Sequence, residues 1–150
     1  MRSFAIRSAI SVVVCLVALV FPAAAHADES QGPSVVNPVS NGEVCGLKQI
    51  DYTSTNGPAK LALEVSKGVA TEVSTSVSVD VQVVSAGVGF SVTESVTVTD
   101  KIEIEVAEGQ FGEIYAFPMF ETISFEIVGG ERGTGHVLRP VGVCFSPIRS

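Results

Sequence analysis

From Val69 to Thr99 apolar and polar residues alternate so regularly that few folds are open to the chain. Val69, Thr71, Val73, Thr75, Val77, Val79, Val81 and Val83 fall on odd positions, with Ala70, Glu72, Ser74, Ser76, Ser78, Asp80 and Gln82 between them. A period of two is that of a strand with one dry and one wet face. After Val84-Ser85-Ala86-Gly87 the parity flips, and Val88, Phe90, Val92, Val96 and Val98 are even. A hairpin whose loop holds an even number of residues requires such a flip. A loop at Val84–Gly87 pairs Val83 with Val88, Val81 with Phe90, Val79 with Val92 and Val73 with Val98, and no side chain changes sides. Gly87 is free to take the left-handed conformation that closes such loops. The alternation therefore predicts a long central hairpin.

The chain on either side follows the same rule. Val44 to Tyr52 predicts a first strand, Thr53 to Pro58 a turn with Asn-Gly at its centre, and Leu61, Leu63 and Val65 a second strand. Lys67-Gly68 is expected to bulge before the hairpin. Ile102, Ile104 and Val106 continue the even face beyond a bend at Asp100. Glu108 to Gly112 is a turn. Ile114 to Phe117, apolar on both faces, predicts a doubly covered strand that Pro118 ends or puts at an edge. Ile123, Phe125 and Ile127 mark another strand. The glycine-rich stretch Gly129–Gly135 connects it to a closing strand, Val137 to Phe145, bent at Pro140. The fold class this predicts is all-β: an antiparallel sandwich or barrel of about seven or eight strands.

Residues 1–27 have the form of a secretory signal peptide. Arg2 and Arg7 give a basic start, Ala9 to Phe21 an apolar run broken by Ser11, and Ala25-His26-Ala27 a cleavage site. Residues 28–42, with Pro33, Asn37, Pro38 and Asn41, are expected to be a flexible segment. Residues 43–150 then form a single β domain, a size compatible with one core. Without the leader, seven Lys and Arg stand against sixteen Asp and Glu, a net charge of −9. Phosphate binding needs a basic surface, so no nucleic-acid partner is expected.

Two cysteines remain, Cys45 and Cys144. In an oxidising compartment a lone pair predicts one disulfide. It would close a loop worth up to about 4.7 kcal/mol in the chain-entropy model, with the strands holding the two cysteines side by side. Localisation is accordingly expected to be secreted, extracellular or cell-surface associated.

Little in the chain has the pattern of catalytic chemistry. His136 is the one conventional base left after processing, and no Gly-x-Ser-x-Gly turn accompanies it. One histidine beside a disulfide does not make a zinc site, so no metal or other cofactor is expected. Glu103 and Glu105 share a strand face with Lys101, with Glu113 expected opposite. Paired acids serve glycoside hydrolysis or calcium binding, but alternation with Ile102, Ile104 and Val106 accounts for these as a solvated strand face. Gly129–Gly135 lacks the Gly-Lys-Ser/Thr ending of a phosphate loop and precedes a strand. Glu94 is the one hairpin residue out of pattern, a carboxylate on the dry face opposite Val77. It calls for a place at the rim of the core, an ion pair with a Lys or Arg, or a face that is not buried.

The hydroxyl- and valine-rich hairpin with its apolar tip, Val83, Val84, Val88 and Phe90, resembles the insertion region of the aerolysin and epsilon-toxin class of β-pore-forming proteins. The resemblance covers residues 69–99 and implies an elongated β protein that oligomerises and threads such hairpins into a membrane. The overall layout also resembles small secreted bacterial proteins of unassigned role. The residues themselves favour a secreted, non-enzymatic β domain acting as a binding or cell-envelope protein, its partner an unknown protein or surface ligand. A membrane partner enters only with the pore-forming alternative.

Overall fold

A computed structural model describes residues 32–150. The signal peptide expected at 1–27, and residues 28–31, lie outside the described residues. The elements are β1 (Ser34–Cys45), β2 (Asp51–Asn56), β3 (Ala59–Ala70), β4 (Glu72–Thr75), α1 (Val81–Val88), β5 (Ser95–Val106), β6 (Phe111–Val128) and β7 (Gly133–Arg149). All strand pairs are antiparallel, in two separate sheets rather than a closed barrel.

The long strand β6 merges two expected strands and runs straight through Pro118. The carbonyl of Pro118 accepts from the Gly46 N–H at 2.7 Å. The nitrogen and carbonyl of a strand residue point to the same side, so the missing N–H faces the connection between β1 and β2. No ladder bond is lost there, and the proline is tolerated. β1 and β2 thus share one edge of β6, end to end, while β7 pairs along the other edge and β4 joins β7 at Gly135–Leu138. The Gly129–Gly135 stretch is the β6–β7 connection, as expected, with β7 starting at Gly133.

Residues 34–42, expected to be flexible, belong to β1. Asn37 and Gly42 have positive φ (53° and 94°) and lie at its two register shifts. The turn-forming residues that argued against a strand are its bulges, which also blunt an exposed sheet edge.

The expected hairpin is not formed. β3 pairs with β5, not 69–83 with 88–99: Leu61 faces Ile104, Leu63 faces Ile102 and Val69 faces Val96. This register differs from the expected one by six positions, so that Val98 faces Lys67 instead of Val73. An even shift leaves every side chain on its own face, and alternation cannot tell the two registers apart. The ladder is unbroken, so neither the bulge expected at Lys67-Gly68 nor the bend at Asp100 occurs.

Val81–Val88 is helical. Asp80 caps it, its side chain accepting from the Gln82 N–H at 2.7 Å, and Gly89 closes it at φ 82° with its N–H on the Ser85 carbonyl. Four valines and a glycine make a poor intrinsic helix former. Burial of one face sustains it instead: Val84 is 1% exposed, against Phe125, Ile127, Val92 and Val137.

Two apolar clusters result, and they lie on opposite faces of the β6–β7 ribbon. The β3–β5 sheet covers Ile114, Ala116 and Phe120 on even positions of β6. α1 and its flanking segments cover Phe125 and Ile127 on odd positions, and Ile123, also odd, is buried as well. No register shift separates Phe120 from Ile123 on β7, where their partners are Pro140 and Val137. The strand keeps its parity and the cover changes sides. Each half of the ribbon therefore leaves one face without a second layer, so the expected double cover of Ile114–Phe117 is also corrected.

Candidate functional site

On the α1-covered half, the open face is polar. Cross-strand neighbours Ser74, His136 and Ser124 align across β4, β7 and β6, and Val39 of β1 follows Ser124. Two positions along, on the same face, lie Thr134 and Glu126. These side chains, with Asn37, line an open groove of about 600 Å³. Its chemistry is that of hydroxyls, one amide, one carboxylate and one imidazole. The left-handed Asn37 donates from Nδ2 to Glu126 Oε2 at 3.4 Å, and Asn41 donates from Nδ2 to Ser124 Oγ. Asparagine adopts such a φ more readily than most residues. Both amides thus fasten β1 to the groove floor. At the β4 edge, Ser76 Oγ accepts from the Thr134 N–H at 2.9 Å.

His136, next to the glycine-rich connection in sequence, lies within β7, exposed between two serines. No hydrogen bond joins it to either hydroxyl among the described residues. The arrangement offers donors and acceptors to a bound molecule, with no nucleophile held against a base. Among the described residues, no group of three or more His, Cys, Asp or Glu is placed to hold a metal ion.

The other candidate residues are dispersed. Val83, Val84 and Val88 are on α1, with Phe90 just beyond it. Val84 is in the core, and Val88 and Phe90 pack against its edge. They are not a hairpin tip, because the segment that would carry the tip is wound into a helix and seated on β6. Cys45 and Cys144 are joined, their Cα atoms 5.9 Å apart. They do not lie on adjacent strands: β1 and β7 flank β6, and the bridge ties one flank to the other. Glu94 is exposed in the bend before β5, so no carboxylate is buried there. Glu103 and Glu105 are on the solvated face of β5. Lys60 and Lys101 both pair with Glu103, the latter at 2.8 Å, and hold its carboxyl down to about 2. Glu113 is in the other sheet rather than opposite them.

A second pocket, about 530 Å³, opens beside the disulfide. Val44, Ile50, Val69, Pro118 and Phe120 give it an apolar lining, and Leu47 at its mouth is 98% exposed.

The groove was hidden from sequence because its residues come from four strands. Its one sequence signal is the polar run Ser74-Thr75-Ser76, too common a pattern to single out.

No curated protein matches the chain. A family model described as "Family of unknown function (DUF6426)" matches residues 20–131, which takes in every element from β1 to β6 and so most of the groove; on that match, the chain belongs to this family.

Proposed function

We propose that this chain is a secreted, non-enzymatic binding domain, and that the groove across β1, β6, β7 and β4 is its recognition surface. The observation that carries the reading is the uncovered polar face itself. A β-sandwich face with no second layer, set with Ser74, Ser124, Thr134, Asn37, Glu126 and His136, presents an array of hydrogen-bonding groups to solvent. Such an array suits a ligand with many hydroxyl or amide groups, since each displaced water is replaced by a protein partner. The disulfide supports an oxidising, extracellular setting.

A backbone-amide NMR titration with soluble surface polysaccharides and peptides tests it. The reading expects saturable shifts at Ser74, Ser124 and His136, lost in Ser124→Val and weakened in His136→Ala. Saturable binding that leaves those amides unmoved would refute the groove. A hydrolytic activity abolished by His136→Ala would refute the non-enzymatic reading. The membrane-inserting alternative requires α1 to leave the core and unwind, and the packing of Val84 lends that no support. Dye release from liposomes is its test.

A further inference from the structure

The second uncovered face, opposite the β3–β5 sheet, carries aromatic residues. Tyr52 on β2 and Tyr115 on β6 are direct cross-strand partners. Their ring centroids are 4.8 Å apart with planes tilted by 47°. Both hydroxyls donate to the same carboxylate oxygen, Glu113 Oε1, at 2.7 and 3.1 Å. The neighbours on this face are neutral: Ser54 and Ile148 flank Glu113, and Ser146 flanks Tyr115.

Three observations converge. Glu113 Oε2 has no hydrogen-bond or ion-pair partner among the described residues. Four of the chain's own cations pair with other acids, Lys60 and Lys101 with Glu103, Lys67 with Asp51 and Arg139 with Glu121, and Arg149 donates to the Glu105 carbonyl. The whole chain carries a net charge of −7. A carboxylate anchored by two phenols, with negative ring faces beside it, is complementary to a positive charge on an organic group. The phenol of Tyr115 is correspondingly held above its ordinary range, first by its hydrogen bond to Glu113.

We propose that the Tyr52–Glu113–Tyr115 cluster docks a basic side chain of a protein partner, an arginine before a lysine. A planar guanidinium can lie on a tyrosine ring and donate in-plane to Glu113 Oε2, whereas an ammonium offers only a point charge. The site is separate from the polar groove and does not depend on it.

The chain has two tyrosines and no tryptophan, so its tyrosine emission arises wholly from this cluster and reports its occupancy. The experiment titrates the protein with an N-acetylated tetra-arginine amide, a tetra-lysine amide and a neutral oligosaccharide, at low and high salt. The proposal expects a saturable emission change with tetra-arginine, weaker with tetra-lysine and weakened by salt. Glu113→Gln should reduce affinity at least tenfold, while Glu121→Gln, an acid already paired with Arg139, and His136→Ala leave it within twofold. In the unsubstituted protein, nuclear Overhauser contacts should join the arginine Cδ protons to the tyrosine rings. Absence of saturable binding or of those contacts overturns the proposal. Equal losses in the two glutamate variants, which mark attraction to overall charge, also overturn it. So does saturation by the neutral oligosaccharide alone, the mark of a sugar platform.

Discussion

Glu103 lies between Lys60 of β3 and Lys101 of its own strand, and both ammonium groups favour its charged form. Its folded-state carboxyl is held down to about 2 from an ordinary 4.5. A group depressed by folding contributes stability above its unfolded value and loses it as pH falls through its folded value. The difference in urea midpoint between the natural protein and Glu103→Gln should therefore be present at neutral pH, shrink between about pH 4.5 and pH 2, and vanish below. High salt should shrink it at every pH, because the pair is exposed. A difference that persists unchanged at pH 1.5 would mean that the glutamine acts through something other than charge. The solvated face of β5 was legible in the sequence, since the acids alternate with Ile102, Ile104 and Val106. Their lysine partner on β3 was not, because Lys60 meets them only in the observed register.

At the scale of elements, sequence alternation gave the strand type and the faces of β3 and β5 but not their register. Hydrophobic period carries information modulo two, and a six-residue slip costs it nothing. The helix between the strands takes Val81–Val88 out of the pairing that the expected register needs, and its signals were present. Asp80 stands at the N-cap position and Gly89 just past the end. Val81, Val84 and Val88 also fit a helical spacing, but the valines around them read more simply as strand. Tertiary burial decided in favour of the helix. Gly87 tests that packing, because a Cβ there would lie 2.3 Å from Val35 Cβ on β1. Gly87→Ala gains about 1 kcal/mol in helix propensity and loses about 1–3 kcal/mol to overpacking. The clash should win, giving net destabilisation by chemical denaturation. Val35→Ala in the same chain should recover part of the loss, a coupling that a double-mutant cycle measures. Simple stabilisation by Gly87→Ala would place α1 away from β1.

For the whole molecule, the organising fact is that cover changes sides along one long ribbon. The second sheet takes one face of β6 up to Phe120, and the helical excursion takes the other face at Phe125 and Ile127. Both proposed recognition surfaces are what this exchange leaves open. Nothing in the sequence of β6 announces it beyond the shift of buried positions from even to odd, which suggests two strands rather than one. The disulfide holds the arrangement laterally by joining the strands that flank β6. Cys45→Ser and Cys144→Ser should each cost up to about 4.7 kcal/mol. The two should cost the same, and the double variant no more than either, since each alone removes the whole constraint. Additive losses in denaturant midpoints would contradict the bond.

The most direct test of the exchanged cover is side-chain exposure along β6, read by NMR relaxation with a soluble paramagnetic probe. The account expects strong enhancement at Tyr115 and Phe117 and weak enhancement at Ile114 and Ala116. Beyond Phe120 the parity should reverse, strong at Ser124 and Glu126 and weak at Ile123, Phe125 and Ile127. One unbroken parity from Phe111 to Val128 would contradict it, and with it both uncovered faces.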